Sequence, residues 1–135
     1  NHGAKGGEWF GEAKYGENYG WKIVGWGGTN YTGTKIGPKW KPGFTKAIKY
    51  WVPSIAVSSM VIYEGKEFSE WNGDALITSL KDQSLRKIKF NDNKFISEKI
   101  IFQGVIGRIR DIEIQESTGR IFLLTDQGSI WKLQK

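Results

Sequence analysis

Four charged residues in the second half of the chain have types and spacing suited to chemistry: Lys81, Arg108, Arg110 and Asp126. Arg108 and Arg110 stand two apart, and on a strand residues i and i+2 share a face. Two guanidinium groups and an ammonium gathered in one place would bind a polycarboxylate or a phosphate, each Arg offering a bidentate fork. The same residues also suit a solvated strand face with ion pairs such as Arg110 with Asp111. A second candidate is the loop His2-Gly3-Ala4-Lys5-Gly6-Gly7-Glu8. It lacks the Gly-Lys-Ser/Thr ending of a phosphate loop. Its backbone carbonyls, with Glu8 nearby, suit a hard cation such as Ca²⁺; the competing reading is a frayed terminus. His2 is the only histidine, so a multi-His metal site is excluded. A third candidate is Tyr50-Trp51-Val52-Pro53-Ser54-Ile55-Ala56-Val57-Ser58-Ser59, either a rigid, flat surface for a sugar ring or planar cofactor or a packed blade-to-blade connection.

The segments that carry these residues read as β-structure. The 135 residues are one domain's worth of length. With 39% hydrophobic and 25% charged residues, the composition is globular and not disordered. Eighteen Gly, 14% aromatics and three Pro point to a turn-dense β protein. There are no cysteines, which excludes disulfides, thiolate zinc sites and a Cys nucleophile. No apolar run approaches the ~20 residues of a membrane span. The net charge of +6 admits an anionic partner. The basic, aromatic-rich first half would also suit single-stranded nucleic acid, but no RNA-binding or helix-turn-helix pattern accompanies it.

Residues 1–50 are rich in Gly and aromatics, with Trp21 to Trp26 as a candidate strand and residues 27–45 as a long irregular loop. From residue 56 the pattern becomes short strands, expected near 57–63, 74–80, 84–90, 96–103, 108–114, 120–125 and 129–134. Residues 51–135 also contain a repeat. Gly73-Asp74-Ala75-Leu76-Ile77-Thr78 returns as Gly119-Arg120-Ile121-Phe122-Leu123-Leu124, and Ser84 to Lys89 returns as Ser129 to Gln134. An offset of about 45 residues matches one four-stranded propeller blade. At that size the chain holds about three blades, fewer than a closed ring needs, with an unrelated sandwich as the rival fold. Lys81 and Asp126 then occupy near-equivalent positions just past a strand end.

Taken in order, several segments resemble one family: residues 2–8, Asn18-Tyr19-Gly20-Trp21, Trp51-Val52-Pro53-Ser54-Ile55-Ala56, Ser79-Leu80-Lys81, Gly107-Arg108-Ile109-Arg110-Asp111 and Leu124-Thr125-Asp126. Together they resemble the C-terminal portion of the soluble PQQ-dependent sugar dehydrogenases, the glucose/sorbosone dehydrogenase family. The resemblance implies a six-bladed β-propeller that oxidises the C1 position of an aldose by hydride transfer to pyrroloquinoline quinone. It implies that the carbonyls of Gly3 and Ala4 hold Ca²⁺. Lys81, Arg108 and Arg110 match the cations that hold the quinone, Asp126 matches a site-lining acid, and Ser54 matches the segment flanking the cofactor. The family's His base belongs to an N-terminal half, and His2 does not match it, so no catalytic base is assigned to this chain. Ala4 stands where the family has Pro, and Glu8-Trp9 where it has Asp-Glu. The resemblance further implies a periplasmic or secreted protein with a sugar substrate. An incomplete ring would associate with itself or with the missing half. The rival function is a non-catalytic propeller module that binds carbohydrate or protein.

Overall fold

The computed structural model describes residues 1–135 and contains nine strands, one short 3-10 turn at Ser69–Trp71 and no α-helix. No helix is long and apolar enough to cross a membrane. The chain divides into two compact units, residues 1–56 with 92–94, and residues 57–91 with 95–135.

In the first unit, β1 (Glu8–Phe10) pairs antiparallel with β2 (Lys49–Trp51), placing Trp9 opposite Tyr50. Almost everything else there is turn and loop, with one isolated bridge between Thr29 and Lys35. The candidate strand at Trp21 to Trp26 does not form. The N–H groups of Ile23 and Val24 both donate to the carbonyl of Gly20, at 2.6 and 2.7 Å, which curls the segment into a turn. Trp26 and Gly27 follow with φ of 50° and 84°, a conformation no extended strand can contain. Glycine matters here because backbone meets backbone. A Cβ on Gly28 would lie 2.1 Å from the carbonyl oxygen of Gly6, and one on Gly7 would lie 2.2 Å from that of Gly25. Around this glycine packing, Phe10, Val24, Trp26, Ile48, Trp51 and Ile55 are buried.

The second unit is built from two consecutive antiparallel meanders. The first comprises β3 (Val57–Ile62), β4 (Ala75–Ser79), β5 (Ser84–Asn91) and β6 (Lys94–Gln103) in sequential order. The second comprises β7 (Ile109–Ile114), β8 (Ile121–Thr125) and β9 (Ile130–Leu133). All seven strands read from the sequence are present. All five residues of β4 are buried, as expected for an apolar strand covered on both faces. The β5–β6 hairpin turns on Asp92 and Asn93, both left-handed at φ 47° and 59°; Asp and Asn tolerate this better than other side chains. The repeat is structural as well as sequential. The β4–β5 and β8–β9 hairpins correspond, and Gly73 and Gly119 precede them at φ 85° and 81°.

The two meanders face each other across a core of Tyr63, Phe68, Leu76, Leu85, Ile109, Ile112, Ile121 and Leu123. Tyr63 is fully buried, yet its hydroxyl is satisfied. It donates to the carbonyl of Gly119 at 2.7 Å and accepts from the N–H of Phe68 at 3.0 Å. Their first strands are tied directly: Ser58 donates to the Ile109 carbonyl at 2.6 Å, and Ser59 to Asp111 at 2.7 Å. Repeated antiparallel sheets packed face to face are blades of a β-propeller, and the three sheets hold two, four and three strands.

Candidate functional site

The strongest grouping of polar side chains on the second meander is built by β7 and the end of β8. Antiparallel pairing sets Ile109 opposite Thr125, and the N–H of Asp126 donates to the Arg108 carbonyl at 3.0 Å. Asp126 therefore lies beside the start of β7. Between Ile109 and Asp111 the register slips, so Arg110 is an extra residue on its strand. Such a bulge re-aims a side chain. The Nε–H of Arg108 donates to Oδ2 of Asp126, and that of Arg110 to Oδ1, both at 2.8 Å. One carboxylate thus orients two guanidinium groups, whose terminal amino groups have no acceptor within the chain. The Arg side chains are 47% and 53% exposed and that of Asp126 is 27% exposed.

The ion pair expected between Arg110 and Asp111 is not formed. Neighbouring residues on a strand point to opposite faces. Asp111 instead accepts from Ser59 and from the N–H of Ile112.

The hydrogen bonds from Arg108, then Arg110, hold the Asp126 carboxyl below the ordinary aspartate range. A lowered folded-state pKa means that the clamp is intact above the ordinary aspartate value and is lost as pH falls through the depressed one. A carboxyl-carbon NMR titration of Asp126 is expected to show its midpoint below the ordinary range, and Arg108→Gln should raise it. An unperturbed midpoint would show that the clamp does not persist in solution.

Lys81 lies in the β4–β5 turn. It is exposed and forms no ion pair, and no hydrogen bond joins it to the Arg pair. The structure thus brings Arg108, Arg110 and Asp126 into contact and leaves Lys81 separate from them.

In the other unit, Ser54 is buried and donates its hydroxyl to Oε1 of Glu8 at 2.7 Å. The N–H of Ile55 donates to Oε2 of Glu8 at 2.8 Å. Glu8 is fully buried, with both oxygens engaged. This corrects the expectation that Glu8 would help a cation in the loop. The chain contains no cluster of three His, Cys, Asp or Glu suited to a metal. A cation at Gly3 and Ala4 would rest on backbone carbonyls, a ligand type that suits Ca²⁺. Trp51 is likewise buried, its carbonyl accepting from the N–H of Gly7 at 2.8 Å. Within the segment at 50–55, Trp51, Ser54 and Ile55 are packed, whereas Val52 and Pro53 are exposed. Tyr50 is half-buried, tilted against Trp26 at 5.4 Å.

Sequence reasoning missed two features. The Glu8–Ser54 pair joins residues 46 apart, and no local pattern signals it. The second is a polar network around Arg86, of which only the turn-forming residues Ser79, Asp82 and Ser84 gave a local sign.

The stacked antiparallel sheets define the class as a β-propeller portion, and comparison with known proteins gives the family. The model of the family described as "Glucose / Sorbosone dehydrogenase" matches residues 1–132, so the chain belongs to that family. It is 34% identical over 132 residues to the aldose sugar dehydrogenase YliI of Escherichia coli, covering 95% of this chain and 35% of that protein. A crystal structure of a glucose dehydrogenase superposes with a TM-score of 0.86 at 28% identity, over 99% of this chain and 39% of the other. The apo-form of the soluble aldose sugar dehydrogenase from Escherichia coli gives a TM-score of 0.80 at 30% identity, over 99% and 39%. The chain spans about a third of the length of the curated relatives it matches.

Proposed function

We propose that this chain is the cofactor-holding C-terminal portion of a PQQ-dependent aldose dehydrogenase acting in the periplasm or outside the cell. The observation that carries this reading is the Asp126 clamp. A single carboxylate takes the Nε–H of both Arg108 and Arg110 and leaves their terminal N–H groups for other acceptors. Arg108, Arg110 and Lys81 against Asp126 leave an excess of two positive charges among four residues, which suits a planar tricarboxylate.

Pyrroloquinoline quinone, when bound, supplies the electrophilic carbon that takes up hydride from C1 of the sugar. The chain's own residues bind and orient. Arg108 and Arg110 hold anionic oxygens through their terminal amino groups. Asp126 limits the rotation of both guanidinium groups, so less freedom is lost on binding. Lys81 contributes a point charge from its turn. Ser54, locked by Glu8, fixes the backbone of the segment beside the cofactor. The carbonyls of Gly3 and Ala4 hold Ca²⁺. None of these residues is assigned proton abstraction, which belongs to a His base elsewhere in the complete propeller. The ring is completed by that portion or by a second copy of this chain.

The test is a titration of the protein with pyrroloquinoline quinone, with and without Ca²⁺, followed by Trp fluorescence. Saturable, calcium-dependent binding is expected. Absence of binding, or binding indifferent to Ca²⁺, would overturn the reading.

A further inference from the structure

The β4–β5 turn carries a polar network that the reading above leaves unused. Asp82 follows Lys81 directly, yet its carboxylate is taken by other groups. Oδ1 accepts from the Ser79 hydroxyl and from the Ser84 hydroxyl, the latter at 3.0 Å, and Oδ2 pairs with Nη2 of Arg86. Arg86 also donates its Nε–H to Ser84 Oγ at 2.9 Å and Nη1 to Glu98 on β6 at 2.8 Å. The N–H of Ser84 donates back to Ser79 Oγ at 3.0 Å, closing the base of the turn. The side chains of Arg86, Asp82 and Glu98 are only 11%, 16% and 16% exposed. Lys81, at the tip of this braced turn, is exposed and unpaired.

We propose that the Asp82–Arg86–Glu98 network positions Lys81 for an anionic ligand, by bracing its turn and by keeping Asp82 from neutralising its ammonium. The inference rests on the reading above, in which Lys81 holds the quinone. A largely buried guanidinium with several hydrogen-bonded partners competes for Asp82 far better than an exposed ammonium can. Without Arg86, Asp82 becomes available to its immediate neighbour. The second blade provides the contrast. In the repeat, Trp131 stands at the place of Arg86, and Asp126 is near-equivalent to Lys81. There the turn carries the acid itself, held from outside by Arg108 and Arg110. The two turns present opposite charges, and only the one presenting the cation has the bracing Arg.

A double-mutant cycle read by the dissociation constant for pyrroloquinoline quinone in Ca²⁺ tests this. Arg86→Gln is expected to weaken binding about tenfold, and Lys81→Ala by a similar factor. With Ala at position 81, Arg86→Gln should add less than about twofold, because the residue it acts through is gone. In an Arg108→Gln background its cost should remain near tenfold. Ser84→Ala keeps every charge in place and should show the same dependence on Lys81 with a smaller effect, which serves if Arg86→Gln does not fold. Costs that multiply regardless of Lys81 would overturn this inference alone and show Arg86 to be a structural residue. Failure of the unmodified protein to bind the quinone would overturn the reading of Lys81 as a ligand, and this inference with it.

Discussion

Replacing Glu8 with Ala is expected to lower the unfolding free energy by about 3–4 kcal/mol. Glu8 is fully buried, and its two oxygens accept from the Ser54 hydroxyl and the Ile55 N–H. Truncation leaves two buried donors without acceptors, and each such orphan costs about 1–3 kcal/mol. It also leaves a void in a region where backbone packs directly on backbone. Glu8→Gln keeps one acceptor oxygen and the side-chain volume, so its cost should stay near 1–2 kcal/mol. Urea unfolding of the three proteins measures the difference. A loss below about 1 kcal/mol for Glu8→Ala would show that Ser54 and Ile55 find other partners. The ordering Ala well below Gln is the signature of the hydrogen bonds rather than of volume alone.

The second large effect concerns binding. Arg108→Gln with Arg110→Gln should weaken the quinone's affinity by about 10³-fold, with each single change costing about 10- to 100-fold. The estimate follows from losing charge-assisted hydrogen bonds worth about 1.5–3 kcal/mol each. Stability should hardly change, because exposed ion pairs contribute only about 0–1 kcal/mol. A fluorescence titration beside a thermal melt therefore separates the two quantities. Unaltered affinity in the double variant would remove the arginines from the cofactor site. It would favour a propeller module that binds a neutral carbohydrate or a protein.

The sequence shows its strands through local signals, and these survive folding. Alternating and apolar runs between Gly, Asp, Asn and Ser gave seven strands, now seen from Val57–Ile62 to Ile130–Leu133. The repeat at about 45 residues told which hairpins correspond, because each blade solves the same packing problem with the same pattern. Where glycine is dense the signal inverts. The apolar stretch from Trp21 to Trp26 looks extended by composition, but hydrogen bonds to the Gly20 carbonyl turn it. The short strands Glu8–Phe10 and Lys49–Trp51 were hidden for the opposite reason: three residues give no period to read.

The all-β class, the two textures of the chain, the blade repeat and the two-residue spacing of Arg108 and Arg110 were legible in the order of the residues. Each is written in the order of neighbouring residues, and strand periodicity is a local property of the backbone. Which acid those arginines share was settled by the fold. The bulge at Arg110 and the pairing of β7 with β8 bring Asp126 to them, whereas Asp111, adjacent in sequence, bonds to Ser59. Tertiary structure also drew Glu8 away from the loop and onto Ser54, buried Trp51, and gave Asp82 to Arg86 instead of Lys81. A buried polar group must find a partner wherever the fold supplies one, and the competition among several acceptors is settled by distance and burial in space. No spacing along the chain records those distances.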